Sequence, residues 1–148
     1  MRLVIQRVKR AQVRVSGKII GKIERGLFVL VGVKEEDSEK DAELLAEKIS
    51  KIRLMADGEN RINLSVKDVK ASILVVSQFT LYGDTTGGNR PSFIKAADPE
   101  KAKRIYEFFI RKLKEKGIRV ETGSFGKYME INTVLDGPVT IIIDSKEL

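Results

Sequence analysis

The chain contains no cysteine and no histidine. The first absence excludes disulfides, thiolate nucleophiles and cysteine metal ligands. The second removes the usual general base, every Ser-His-Asp or Cys-His arrangement, and the commonest transition-metal ligand. An enzyme built from this sequence must draw its acid–base chemistry from carboxylates, lysine, backbone groups, water or the substrate itself. Aromatic residues are scarce at 6% and mostly spaced as core, which counts against a sheet face that reads RNA by stacking. No stretch approaches the ~20 apolar residues that span a bilayer, and Met1–Arg7 lacks the apolar core of a signal peptide. A cytoplasmic chain with no membrane partner is expected.

The 148 residues fit one domain, 1–148, and their apolar (42%) and charged (33%) fractions are those of a globular protein. Twenty-eight basic against twenty-one acidic residues give a net charge of +7, which favours polyanionic partners and equally serves solubility.

Hydrophobic alternation predicts strands over residues 2–9 and 11–16, a turn at Ser16-Gly17-Lys18, and a further strand over 19–24. Leu27–Val33 is apolar throughout and reads as a central strand. Ser38-Glu39-Lys40-Asp41 has the form of a capping box, and Ala42, Leu45, Ala46, Ile49 and Ile52 behind it follow helical spacing. Ile62–Leu64 reads as a short strand or extended loop, and Ser72–Ser77 as a strand buried on both faces. Asp98-Pro99-Glu100 opens a second amphipathic helix, with Ala102, Ile105, Phe109 and Leu113 inward and Gly117 as its stop. Strands follow over 118–122, 129–134 and 139–143. The fold class expected is a single α/β domain, a β-rich mixed sheet or barrel-like layers with two main amphipathic helices.

Three stretches carry candidate chemistry. Ser77-Gln78-Phe79-Thr80 ends the buried strand, where backbone N–H groups can stabilise an oxyanion and Thr80, with no histidine beside it, is a weak nucleophile. Gly83–Ser92 is the glycine-rich loop. It lacks the Gly-Lys-Ser/Thr ending of a phosphate-cradling loop, which argues against P-loop hydrolysis and leaves either a plain connection or a flap beside Ser77–Thr80. Leu135-Asp136-Gly137-Pro138 has the Asp-Gly signal of a hairpin turn. Pro138 cannot supply the closing N–H, so the alternatives are an open turn, which spacing favours, or a Gly-Pro pair displayed outward. The Ser77–Thr80 and Leu135–Thr140 stretches are expected to meet at the working site.

Ser77-Gln78-Phe79-Thr80-Leu81, Asn89-Arg90-Pro91-Ser92-Phe93, Gly123-Ser124-Phe125-Gly126 with Met129, and Asp136-Gly137-Pro138-Val139-Thr140 resemble, in order, the D-aminoacyl-tRNA deacylases. Gln6-Arg7-Val8 and Gly26-Leu27 match as well, so the resemblance spans the chain. It implies a homodimeric hydrolase, with neither metal nor cofactor, that frees a D-amino acid or glycine from the 3′-terminal adenosine of tRNA. By that resemblance Gly137 and Pro138 form a cis peptide that enters the partner's pocket and rejects L side chains, and Arg7 orients it. Ser77, Gln78, Phe79 and Thr80 line the pocket facing the ester, and Val139, Thr140, Phe125 and Met129 help bind substrate. Thr80 is either nucleophile or positioning residue; in the second case backbone amides near Phe79 and Thr80, the ribose hydroxyl and water perform the chemistry. The chain departs from the family pattern at Leu135, usually asparagine, at Lys127, usually alanine, and at Thr85-Thr86, where lysines are common. DNA is not an expected partner. The rival readings are a non-catalytic RNA-binding module and a small-molecule or peptide hydrolase using Thr80.

Overall fold

The computed structural model describes residues 1–148. Its framework is a long antiparallel ribbon in which β1 (Arg2–Val15) runs against β2 (Lys18–Ile23) and then β3 (Gly26–Gly32). Ala11 faces Ile23 and Val8 faces Gly26, so one register continues across the break at Glu24-Arg25. The ribbon turns at Ser16-Gly17, whose φ angles of 49° and 79° are those a two-residue hairpin of the I′ type needs. The stretches 2–9 and 11–16, expected as two strands, are therefore one.

β6 (Ser72–Ser77) lies parallel to β3, and β7 (Arg119–Thr122) parallel to β6. The sheet order is β2-β1-β3-β6-β7, with β8 (Glu130–Asp144) antiparallel along the other edge of β1. β2 bends back until Gly21 lies against Thr122 and Leu74, so the sheet nearly closes on itself. β4 (Arg53–Ala56) and β5 (Ile62–Ser65) form a separate two-stranded ribbon; β4 was not anticipated from the sequence.

The near-closure gives the sheet two interiors. On one face, Leu3, Ile5, Val29, Ile73 and Val75 pack with Leu45, Ile49, Phe109 and Leu113 of α1 (Glu39–Lys51) and α2 (Pro99–Glu115). On the other, Val8, Val13, Phe28, Leu74 and Val76 form a smaller cluster under the curled ribbon. β6 contributes to both, as its unbroken apolar run implies, and each fully buried side chain of this kind is worth about 1.5–3 kcal/mol. No helix is long and apolar enough to cross a membrane.

Both helix starts behave as expected. Asp98 accepts the N–H groups of Glu100 and Lys101, and Gly117 N–H and Ile118 N–H close the far end of α2 on the carbonyls of Lys114 and Leu113. At α1, Asp41 takes both the N–H and the hydroxyl of Ser38 at 2.9 Å. The same carboxylate accepts the Ser145 hydroxyl (2.8 Å) and the Lys146 ammonium (3.0 Å). Ser145 in turn accepts the Met1 ammonium at 2.8 Å, which also donates to Asp37 at 2.6 Å. One polar knot thus joins the first residue, the start of α1 and the C-terminal segment.

The hairpin turn expected at Leu135–Pro138 is corrected by the structure. Residues 129–134 and 139–143 do not form a hairpin; they are parts of the single strand β8, which runs in one direction along β1. Asp-Gly is a local signal, and the 14-residue partner strand overrides it by pairing on both sides of the Gly-Pro step.

Burial works to raise the Asp41 carboxyl pKa, and the hydrogen bonds from Lys146, Ser145 and Ser38 outweigh it, holding the pKa well below the usual carboxylate range. Stability from this group is therefore full above about pH 4 and lost as pH falls through the depressed folded value. Asp41→Asn is expected to cost about 1–3 kcal/mol at neutral pH. It should also flatten the acid limb of a pH series of urea midpoints; an unchanged midpoint and limb would contradict the assignment.

Candidate active site

β3, β6 and β7 run the same way, and a cleft of about 750 Å³ opens at the carboxyl ends of β3 and β6, the end of a parallel sheet where ligands commonly bind. Thirteen of its 18 lining residues are hydrophobic, so it suits an apolar or aromatic ligand held by few polar groups. Val31, Val33 and Val76 form its base, Ala102 and Tyr106 of α2 one wall, and the residues between β7 and β8 the other.

The chain leaves β6 in a way fixed by the sheet. Gln78 N–H donates to Val31 C=O at 2.7 Å, adding one rung beyond the strand, and a single 3₁₀ turn over Phe79–Tyr82 follows. As first residues of that turn, Phe79 and Thr80 have backbone N–H groups with no acceptor in the chain. The Gln78 side-chain amide donates to the Thr80 hydroxyl, and no carboxylate or amine contacts that hydroxyl. Thr80 is thus held as an acceptor, without a base to activate it. Ser77, Gln78 and Phe79 line the cleft; Thr80 stands beside it, exposed.

The Phe79 ring meets Phe93 edge to face, with centroids 5.1 Å apart and planes at 72°. Phe93 is placed by the glycine-rich loop, which is pinched where Asp84 and Ser92 exchange two backbone hydrogen bonds of 2.8 Å. Lys95 bonds the Asp84 carboxylate at 2.6 Å and, with Thr86, lowers its pKa. The loop is therefore a closed excursion that delivers an aromatic to the cleft.

The opposite wall is the turn Ser124–Lys127, closed by Lys127 N–H donating to Ser124 C=O at 3.2 Å, with Gly126 at φ +71° in the position where a turn of the II type requires glycine. Phe125 packs on Tyr106 (centroids 5.8 Å), whose hydroxyl donates to Val75 C=O at 2.9 Å. Burial pushes the Tyr106 phenol pKa upward, so it remains a neutral donor. Met129 completes this wall.

The second predicted stretch lies elsewhere in the same chain. Gln6 pairs with Thr140 and Val8 with Leu135, so Arg7 alone stands opposite Asp136, Gly137, Pro138 and Val139. The surplus residues bulge from β8, and the Gly137-Pro138 peptide within the bulge is cis. Arg7 is 9% exposed and clamps the base of the bulge: Nε donates to Asp136 C=O (3.1 Å) and pairs with its carboxylate (3.2 Å), while a terminal nitrogen donates to Leu54 C=O (3.1 Å). Gly137 and Pro138 themselves are exposed.

The cleft therefore gathers Ser77, Gln78, Phe79, Phe125 and Met129, but not Arg7, Thr80, Gly137, Pro138, Val139 or Thr140. The expectation that the two stretches meet is not met within one chain, because β8 carries the bulge along the far edge of β1. Sequence reasoning missed Tyr106, which had the spacing of a core residue, and Phe93 was noted only as part of a motif. It also missed that Lys127 is the one charged residue lining the cleft.

The profile of the D-Tyr-tRNA(Tyr) deacylase family matches residues 4–144. A D-aminoacyl-tRNA deacylase of Thermosipho melanesiensis is 55% identical, covering 100% of this chain and 99% of its own, and one of Thermotoga petrophila is 53% identical with the same coverage. A solved structure of a c-Myc DNA unwinding element binding protein superposes with a TM-score of 0.91 at 39% identity, covering 97% of this chain and 98% of that one. Another, of a probable eukaryotic D-amino acid tRNA deacylase, shares the fold with a TM-score of 0.84 at 17% identity over 97% and 98% of the chains.

A Cβ added at Gly137 (φ +138°) would lie 2.8 Å from Val139 N and 2.9 Å from its Cγ2. Gly137→Ala is therefore expected to lower stability by about 1–3 kcal/mol, because both the backbone conformation and the contact are unfavourable. A thermal midpoint equal to that of the unsubstituted protein would contradict the close approach.

Proposed function

Because this chain belongs to the D-Tyr-tRNA(Tyr) deacylase family, we propose that it hydrolyses the ester joining a D-amino acid to the 3′-terminal adenosine of tRNA, releasing the free amino acid and tRNA. Glycine mischarged on alanine tRNA is a second substrate in this reading. The family relationship carries the activity. The observation that carries the mechanism is the pair of unused N–H groups on Phe79 and Thr80, beside an apolar cleft with no carboxylate among its lining residues.

The adenosine enters the apolar cleft and sets the ester carbonyl against those two N–H groups. Water attacks the carbonyl carbon, and the negative charge that forms on the carbonyl oxygen is stabilised by dipoles already fixed by the β3–β6 pairing, so little reorganisation opposes the step. The C–O bond to the ribose then breaks, and the leaving 3′-oxygen takes a proton delivered through water and the neighbouring 2′-hydroxyl. Thr80, Gln78 and Ser77 position the substrate; Thr80 is not the nucleophile.

Chirality is read by a second copy of the chain. The Gly137-Pro138 peptide is exposed and outside its own cleft, which suits a group that serves the cleft of a partner subunit. There its carbonyls accept the substrate ammonium, and Val139 and Thr140 flank it, leaving room for a D side chain or hydrogen and none for an L side chain. The free edge of β8, with Ile131, Leu135 and Ile142 exposed, supplies a surface for the two-fold contact. The protein acts in the cytoplasm, with aminoacyl-tRNA as its nucleic-acid partner. A non-catalytic RNA-binding module is the second reading, to which the net charge of +7 is suited; it requires affinity without hydrolysis.

The protein is expected to deacylate D-tyrosyl-tRNA far faster than the L form, and equal rates or no turnover would defeat the reading. In the same assay Thr80→Ala should lose less than about tenfold in kcat, since removing a group that moves protons in the transition state costs about 10²–10⁴.

A further inference from the structure

Lys127 is the only charged residue among those lining the cleft. It is exposed, and its ammonium has neither an ion-pair partner nor a hydrogen-bond acceptor in the chain. Two lysines of the segment that follows the glycine-rich loop are engaged instead: Lys95 is paired with Asp84 and Lys101 with Glu35. The backbone under Lys127 is firmly placed. It is the last residue of the turn whose Phe125 rests on Tyr106, itself bonded to Val75 in the sheet. A free cation is thus held on a rigid base at the mouth of an otherwise uncharged apolar cleft.

The next residue, Tyr128, also lines the cleft and is 89% exposed, with no aromatic or cationic neighbour on its ring. An uncovered aromatic face beside a free ammonium is the pairing that single-stranded nucleic acid uses, one group for the base and one for the phosphate.

Resting on the deacylase reading above, we propose that Lys127 and Tyr128 form a nucleotide-binding rim on this cleft. The Lys127 ammonium pairs with the phosphodiester on the 5′ side of the terminal adenosine, and the Tyr128 ring stacks on the base of the penultimate nucleotide. The phosphodiester is a permanent monoanion, the charge complement of the unpaired lysine. Its exposure at the mouth of the apolar cleft explains why a charge is tolerated there: the ammonium stays hydrated until the phosphate replaces part of its water. The rim adds substrate affinity and sets the direction in which the RNA leaves the site, without touching the ester.

The test is equilibrium binding of the single-stranded RNA ACCA to the full chain, with a second ACCA probe carrying a neutral methylphosphonate at its last linkage. Lys127→Ala should weaken binding of the natural probe about three- to tenfold and reduce the slope of log Kd against log salt by about 0.7, the share of one phosphate contact on a single strand. The methylphosphonate should weaken the unsubstituted protein by the same factor and leave Lys127→Ala with no further loss. Lys127→Arg should restore the natural affinity, and Tyr128→Phe should keep the affinity that Tyr128→Ala loses by about fivefold or more. With D-tyrosyl-tRNA the Lys127→Ala loss should fall on KM more than on kcat. Independent, multiplying losses from Lys127→Ala and the methylphosphonate would overturn the proposal, as would a salt slope unchanged by Lys127→Ala. Were the unsubstituted protein active on D-tyrosyl-tRNA in that case, the rim alone would fail; were it inactive, the deacylase reading would fail with it.

Discussion

The parallel pairing of β3 with β6, extended by the Gln78 N–H bond to Val31 C=O, is the constraint on which the site depends. β6 is packed on both faces, by Ile73 and Val75 toward the helices and by Leu74 and Val76 toward the curled ribbon. It therefore has no freedom to tilt or slide, and the residue that leaves it inherits that rigidity. The 3₁₀ turn that follows must begin with N–H groups that no carbonyl in the chain can reach. Phe79 and Thr80 present those two groups at the edge of an apolar cleft. In the proposed mechanism these fixed dipoles stand where histidine or cysteine, both absent from this chain, would otherwise act.

A second constraint acts on β8. Four residues, Asp136–Val139, oppose Arg7 alone, and the surplus chain is expelled as a bulge. A guanidinium is suited to the space beneath, because its rigid fork serves Asp136 and Leu54 together. Losing a buried hydrogen-bond partner of this kind costs about 1–3 kcal/mol. Arg7 is thus a brace for the bulge, nearly fully buried and outside the cleft of its own chain.

Much of the framework was legible in the sequence. The strand Ser72–Ser77, both helix starts, the stop at Gly117 and the turn at Ser16-Gly17 are local signals, and the structure realises each. The hairpin expected at Asp136-Gly137 is not, because strand continuity is decided by a partner more than 120 residues away in sequence, which no local pattern reports. The site was legible in parts. Ser77, Gln78 and Phe79 could be placed by the abrupt end of an apolar run. Tyr106 could not, since a wall residue and a core residue on α2 have the same helical spacing. The separation of the Gly137-Pro138 bulge from the cleft follows from the sheet order, which hydrophobic patterning does not determine. If the two stretches work together, a second chain must join them.

The central claim is that main-chain dipoles, water and the substrate's own ribose perform the hydrolysis, without an acid or base from the protein. The most direct measurement is single-turnover hydrolysis of D-tyrosyl-tRNA whose terminal nucleoside is 2′-deoxyadenosine, with the amino acid on the 3′-oxygen. The account predicts that this substrate still binds and is cleaved far more slowly than its ribose counterpart. Equal rates for the two would contradict it and return the search to a protein side chain.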